Sequence, residues 1–240
     1  MSAWDDLNRA QKKHVADLVD CYQENGELFR RFLVHVQTLI VDNDALRPFI
    51  HSTKGRLKDP SHLRDKLARQ CLKKAASKAK ARSVLDINRS NLFVRINDLV
   101  GFRVLHLHTR QIEKMHPIIV SAFKEAKIRQ VEKPFARTWD DESREFYSGV
   151  GLKTEVSPSM YTSVHYIVQS NSQTKITAEI QVRTLAEELW GEVDHLINYP
   201  EKSPVSTCRE QIRVLARAAS SCTRLVDSIF DAHNAEARRR

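Results

Sequence analysis

The 240-residue sequence predicts an α+β fold: a mixed, mainly antiparallel sheet with flanking helices and helical extensions at both ends. Three observations carry that prediction. Residues 5–40 and 206–236 repeat their apolar side chains at helical spacing. The middle of the chain instead alternates polar and apolar residues over 99–108, 161–170 and 175–184. The last two stretches are joined by the polar turn Asn171-Ser172-Gln173, which reads as a hairpin. Strands bracketed by helices, without a regular strand–helix alternation, argue for α+β rather than a doubly wound sheet.

The elements follow in order. Leu7, Val15, Leu18, Val19, Tyr22, Leu28, Phe32, Val36 and Leu39 mark the first helix, which Gly26 divides. Asp42 or Asp44 caps a short helix limited by Pro48, and "HSTKGR" (51–56) reads as a loop. A long helix starts near Pro60, capped by Asp59 or Ser61, and runs to about Ala81. From Phe93 the texture is β-like, and 99–108 places Phe102, Val104 and His106 on one side of a strand. Gln111–Ala126 is helical through Ile112, Met115, Ile119 and Phe123, and 127–132 is a short strand. Residues 133–160, rich in Pro, Gly, Ser and charge, read as one long loop. After the hairpin, a helix runs from Leu185 to Tyr199 and stops at Pro200.

Composition narrows the function classes. No apolar run approaches the ~20 residues that span a bilayer. The polar start "MSAWDDLNRAQKKH" lacks a signal peptide's apolar core, so a soluble cytoplasmic protein is expected, with no membrane partner. Four scattered cysteines form no CxxC pair and suit neither a zinc site nor a disulfide framework. The formal net charge is +9, and residues 54–82 alone hold 11 Lys and Arg against 2 Asp, 11 − 2 = +9. That concentration points to a polyphosphate or nucleic-acid partner.

Alternation along 179–183 puts Glu179, Gln181 and Arg183 on one strand face and Ile180 and Val182 on the other. Tyr161, Ser163 and His165 share a face of the partner strand. If the two faces coincide, an aromatic ring, a hydroxyl, an imidazole, a carboxylate and a guanidinium meet on one surface. That set suits a nucleotide: ring stacking, phosphate binding and metal coordination. Asp98, ahead of the strand containing Arg103, adds a second acid, and two carboxylates from different strands can hold Mg²⁺ together with substrate phosphates. Trp190 is expected in the core, and His106 and His108 in structural roles.

On these residues the chain resembles the RelA/SpoT-type alarmone synthetases. "DLVGFRV" (98–104) resembles their Asp-x-x-Gly-x-Arg strand, "YTSVHY" (161–166) their guanine-binding loop, and "EIQVRT" with the following Trp190, Asp194-His195 and Tyr199 their Glu-x-Gln-x-Arg-Thr strand and helix. "GRLKDPSHLRDKL" (55–67) resembles their upstream basic element, and the matches keep family order over residues 54–200. The resemblance implies a nucleotidyltransferase-like fold moving the β,γ-pyrophosphate of ATP to the ribose 3′-hydroxyl of GDP or GTP, as a GTP diphosphokinase making (p)ppGpp, without the family's hydrolase half. It implies Arg56 and Arg103 on the adenine, Lys58 and Lys66 by the ATP phosphates, and Asp98 and Glu179 as Mg²⁺ ligands, Glu179 also drawing the acceptor proton. It implies Tyr161 stacked on the acceptor base, with His165, Gln181, Arg183 and His195 around the acceptor's ribose and phosphates. The domains implied are a helical extension over 1–50, the synthetase over 51–200 and a second helical extension over 201–240. Those extensions are candidates for homo-oligomer formation, and the closing "EARRR" reads as the cut end of a longer chain.

The sequence departs from the pattern around the acceptor loop. Met160 stands where many members have Gly, Thr162 where they have Arg, no Lys follows Pro158, and Pro200 replaces a Lys after Tyr199. Fewer cations leave the acceptor open. The alternatives are a toxic relative that pyrophosphorylates tRNA 3′ ends or adenine nucleotides, and a non-catalytic RNA-binding or regulatory module. Two retained acids argue against the last.

Overall fold

The computed structural model describes residues 3–77, 85–199 and 202–237. In chain order the elements are α1 (Arg9–Glu24), α2 (Gly26–Val41), β1 (Ser52–Leu57), α3 (Pro60–Ser77), α4 (Leu92–Arg95), β2 (Val100–His106), α5 (Ile112–Glu125) and β3 (Arg129–Gln130). There follow β4 (Phe135–Thr138), α6 (Asp141–Gly149), β5 (Lys153–Val156), β6 (Ser163–Gln169), β7 (Thr177–Thr184), α7 (Leu185–Asn198) and α8 (Ser206–Ala237). The strands form one mixed sheet in the order β1-β2-β7-β6-β4-β5, with β3 against β6. The α+β architecture with flanking helices is the one the sequence implies. By chain contacts it divides into two units, one of Met1–Gln37, Gly55–Phe102 and Val168–Glu179, the other of Thr38–Lys54, Arg103–Ile167 and Ile180–Arg240.

In the first unit α1 begins where a capping box satisfies its open donors. Asn8 Oδ1 accepts Gln11 N–H and Gln11 Oε1 accepts Asn8 N–H, each at 3.0 Å. Asn25 ends α1 by donating to the Cys21 carbonyl at 2.8 Å, and Gly26 opens α2, the division expected. α3 starts at Pro60 with the Asp59 carboxylate accepting Ser61 N–H at 2.8 Å and His62 N–H at 3.2 Å. The core gathers Leu18, Tyr22, Phe29, Leu63, Leu67 and Leu92, all buried. Each such side chain contributes about 1.5–3 kcal/mol relative to exposure. Phe29 lies with its ring centroid 4.9 Å from Tyr22 and 4.9 Å from Phe93. The Tyr22 hydroxyl donates to the Lys58 carbonyl at 2.7 Å, which fixes the chain leaving β1. Burial pushes that hydroxyl's pKa up to about 12, so it stays a donor.

In the second unit β4 runs parallel to β5, with Phe135 opposite Lys153, and α6 is the crossover that a parallel pair requires. β4 is antiparallel to β6, and Phe135 faces His165 in the register. α5 covers the sheet with Ile112, Met115, Ile119 and Phe123. α7 starts in a capping box, Thr184 Oγ1 accepting Glu187 N–H at 3.3 Å and Glu187 Oε2 accepting Thr184 N–H at 3.0 Å. Trp190 is buried between α7 and α8, as expected, and its indole N–H donates to the Ile212 carbonyl at 2.9 Å. α8 is anchored further along, where Asp227 Oδ1 meets His108 Nδ1 at 2.6 Å and accepts Arg110 N–H at 2.9 Å. His106 is fully buried and desolvation pulls its pKa down to about 4, so it is neutral and structural.

Four expectations are corrected. "HSTKGR" is β1, an edge strand whose exposed residues need no apolar alternation, so the periodicity signal is silent there. The segment from Phe93 opens in the short helix α4 before β2. Residues 133–160 contain β4, α6 and β5, each shorter than the roughly 11 residues over which a helical period is read. Neither Asp42 nor Asp44 caps the turn near Pro48: the 3₁₀ turn over Arg47–Phe49 has Leu46 at its N-cap and no side-chain cap, and Asn43 Oδ1 accepts Ala45 N–H at 3.0 Å in the turn ahead of it. The expected end of α3 at Ala81 and the stop at Pro200 lie outside the described residues. Among the described residues no helix is long and apolar enough to cross a membrane.

Candidate functional site

The predicted site residues fall into two clusters, one in each unit. In the first unit the centre is Asp98, two residues ahead of β2. Lys58 Nζ, just past β1, donates to its Oδ2 at 2.8 Å, and Lys66 Nζ, from the second turn of α3, donates to Oδ1 at 2.7 Å. Burial alone would raise the Asp98 pKa, but the two ammonium groups outweigh it and hold the carboxyl below the usual range. One anion therefore keeps two cations folded onto it. Lys58 is 11% exposed and Lys66 32%, so the second has the freer path to an incoming phosphate. Arg56 is an exposed residue of β1 whose side chain crosses Gly101 on β2: a Cβ at 101 would lie 3.3 Å from Arg56 Cγ. The glycine of the Asp-x-x-Gly-x-Arg strand thus makes room for Arg56. Glu179, half-buried, stands on β7, the strand next to β2.

The second unit holds a cluster of charged groups between β2, β7 and α7. Arg103 Nη1 donates to Glu188 Oε1 at 3.0 Å and also to Glu192 Oε1. Arg183 is 2% exposed and ion-pairs with the other oxygen of Glu188. Lys54 Nζ reaches Glu192 Oε2 at 3.4 Å. Desolvation works against the Glu192 anion, yet Arg103 and Lys54 hold its pKa down to about 2. Arg103 is correspondingly raised: burial disfavours its charge, and Glu188 and Glu192 restore it. Gly191 faces Arg183 from α7, and a Cβ there would come within 2.6 Å of Arg183 Nη1. The helix can pass this close to a guanidinium only because position 191 has no side chain.

Arg183 in turn lies over the Tyr161 ring, 5.4 Å from its centroid. The Tyr161 hydroxyl donates to Gln181 Oε1 at 3.3 Å, and its ring lies 5.8 Å from His165. His165 is buried and stacks on Phe135 at 4.9 Å and 3°. Tyr161, His165, Gln181 and Arg183 are thus brought together. His195 is exposed in the last turn of α7, its ring 4.7 Å from Tyr199 and nearly parallel to it. Arg103 Nε and Arg183 Nε are buried with no hydrogen-bond partner among the described residues. Leaving a buried donor open costs about 1–3 kcal/mol, and such donors suit an incoming acceptor group.

A family model described as a region found in RelA / SpoT proteins matches residues 55–204, well over half of the chain. The chain belongs to that family. It is similar to the small alarmone synthetase 1 from Bacillus subtilis bound to its product pppGpp, at 21% identity and TM-score 0.54 over 90% of this chain and 96% of that one. It is also similar to a GTP pyrophosphokinase family protein from Streptococcus pneumoniae, at 18% identity and TM-score 0.56 over 94% of this chain and 95% of that one. At such identities the likeness is one of fold. No curated protein sequence matches the chain.

Within this RelA/SpoT chain, the residues that sequence reasoning missed are Glu188, Gly191 and Glu192. Their signal was present: acids four apart on a helix, and an isolated glycine inside a helical pattern, which usually has a packing reason. The departures in the acceptor loop also take physical form. Met160 holds φ at 64°, the left-handed turn a glycine would adopt freely. Thr162 is buried and bonds Thr138, Oγ1 to Oγ1 at 3.0 Å, so it does not take over the work of an arginine facing a ligand.

A divalent ion would find a limited donor set. No group of three or more His, Cys, Asp and Glu side chains arranged to hold a metal occurs among the described residues. Mg²⁺ commonly takes one or two carboxylates and completes its shell with water and substrate phosphates. Asp98, kept ionised, and Glu179 on the neighbouring strand fit that pattern.

Proposed function

We propose that this protein is an Mg²⁺-dependent pyrophosphokinase that transfers the β,γ-pyrophosphate of ATP to the ribose 3′-hydroxyl of GDP or GTP, making (p)ppGpp in the cytoplasm. The observation that carries the reading is the half-buried Asp98 carboxylate held ionised under Lys58 and Lys66, beside the strand that carries Glu179. Family membership and a relative bound to pppGpp support it.

On this reading Lys58 and Lys66 exchange Asp98 for ATP phosphate oxygens, which frees the carboxylate to join Glu179 at the ion. Bound there, Mg²⁺ would neutralise charge developing on the transferring group. Arg56 and Arg103 hold the adenine through their planar guanidiniums. Tyr161 stacks on the acceptor base, and His165, Gln181, Arg183 and His195 position its ribose and phosphates. Glu179 takes the 3′-hydroxyl proton as that oxygen attacks the β-phosphorus, the bond to the α,β-bridging oxygen breaks, and AMP leaves. The catalytic body spans 51–200, and the helices on either side carry any self-association.

One observation favours a second acceptor class, tRNA 3′ ends or adenine nucleotides. The turn at Met160 and the inward Thr162 leave the acceptor loop without the cations that would grip a free guanosine diphosphate. Incubation with γ-labelled ATP, Mg²⁺ and separate GDP, GTP, adenine nucleotides and tRNA decides between them. Label on guanine nucleotides is expected, and label on tRNA alone overturns the guanine reading. Glu179→Gln and Asp98→Asn should each abolish transfer with the fold retained; transfer that survives both removes the two-acid assignment.

A further inference from the structure

We infer that Glu188 is a positioning residue that couples the two substrates. Its one carboxylate holds both Arg103 and Arg183, so binding of either substrate tightens binding of the other. The coupling rests on the pyrophosphokinase reading above, in which Arg103 serves the adenine and Arg183 the acceptor.

The two oxygens of Glu188 are divided between two strands of the second unit. Oε1 accepts Arg103 Nη1 from β2 at 3.0 Å, and Oε2 pairs with Arg183 from β7. The residue sits in the first turn of α7, which the Thr184–Glu187 capping box pins to the end of β7. At 13% exposure the carboxylate has little water to stand in for either partner. A movement that gives up one guanidinium leaves buried charge uncompensated, so a single pose serves both.

The rest of the cluster sets the sign of the coupling. Arg103 Nη1 is shared, because Glu192 Oε1 accepts from the same nitrogen. Glu192 is 41% exposed and also reaches Lys54 at 3.4 Å, so it releases Arg103 at little cost. Arg183 bonds no second carboxylate among the described residues, and it is pressed against Gly191. A base laid on Arg103 displaces the exposed partner, Glu192, and leaves Nη1 to Glu188 alone. Glu188 is then held more firmly, and with it Arg183, which lies over the Tyr161 ring. The reverse order acts through the same atoms, as linkage requires. Each guanidinium also keeps a buried Nε without a hydrogen-bond partner among the described residues, an open donor for substrate.

Equilibrium binding with Mg²⁺ and without turnover tests the coupling. The donor probe is α,β-methylene ATP, and the acceptor is GDP, or deacylated tRNA where tRNA is what takes label. The quantity read is the acceptor's dissociation constant without the donor probe divided by that with it. For the wild-type chain a ratio of about fivefold or more is expected. Glu188→Gln turns an amide donor towards one guanidinium, and Glu188→Asp keeps the charge but is one methylene too short to reach both. Either should bring the ratio to about one by weakening acceptor binding in the presence of the donor probe; the Asp variant carries the test if the Gln variant does not fold. Glu192→Ala should also lower the ratio, but in the opposite way, by tightening acceptor binding in the absence of the donor probe. A merely structural Glu188 would weaken both substrates and keep the ratio, which overturns the inference. So does a wild-type ratio of about one with both substrates bound, or a Glu192→Ala chain that binds the acceptor more weakly. A wild-type chain that binds no donor probe sinks the proposed function itself, and the coupling with it.

Discussion

The Asp98 cluster and the Glu188 cluster are both knots of paired charge, yet they are built from different materials. Around Asp98 one carboxylate holds two lysines, compact charges on flexible stems, and both stems reach solvent. Around Glu188 two arginines share one carboxylate, and Arg183 is 2% exposed with Gly191 pressed against its guanidinium. The first can open when phosphate arrives, because a lysine exchanges one oxygen for another at little geometric cost. The second cannot open without leaving a guanidinium unpaired in the interior. One is an exchangeable store of cations and the other a fixed frame.

Removing the acid from each cluster tests that contrast most strongly. Glu188→Ala strips Arg183 of its counter-charge, and breaking a buried pair in this way costs about 3–5 kcal/mol. Asp98→Asn leaves lysines that can turn to water and should cost only about 1–2 kcal/mol, though it abolishes transfer. Denaturant unfolding of the two variants measures the difference. Equal losses would mean that the clusters are the same kind of object.

Gly191→Ala is the sharper probe of the frame. Alanine in a helix interior normally gains about 1 kcal/mol over glycine. Here the new Cβ would sit 2.6 Å from Arg183 Nη1, so the guanidinium must move. A loss of about 1–3 kcal/mol is expected by thermal melting, with a raised KM for the acceptor, because Arg183 also lies over Tyr161. A stabilised variant would show that the frame is loose.

The two clusters were unequally legible in the sequence. Asp98, Lys58 and Lys66 stand in stretches that resemble family motifs, and the structure joins them directly. Gln181, Arg183 and Tyr161 were expected on one surface and are found together. Glu188 carries no such signal, because its partners come from two strands whose phase relative to α7 no periodicity reveals. β1 went unread for a related reason: its side chains are exposed, and an edge strand pairs through backbone. The elements between Phe135 and Val156 each span less than a readable period, but their order, strand, helix, parallel strand, obeys a rule visible once they are found.

Acidity separates neighbouring acids of α7. Glu192 has its pKa depressed to about 2, so its contribution is complete above the unfolded carboxylate value, near 4.3, and is lost as pH falls towards 2. Glu187 is opposite in sign: burial raises it to about 7, above its unfolded value, so the folded state binds the extra proton between roughly pH 4.3 and 7. Its contribution is full below that window and lost as pH rises through it. Stability should therefore decline from pH 5 to 8, and Glu187→Gln should flatten the slope. A slope unchanged in the variant would remove Glu187 as its source.

The smallest expected effect lies beside Tyr161, at the turn the second unit holds by strain. Met160→Gly relieves a left-handed backbone worth about 1–2 kcal/mol. The same change adds unfolded-state entropy of about 0.5–1 kcal/mol and removes a side chain packed against the Trp190 cluster. The opposing effects are of similar size, so the melting temperature should move by only a degree or two. A large gain in stability would instead show that the methionine packs poorly, and that the strain is not matched by any contact.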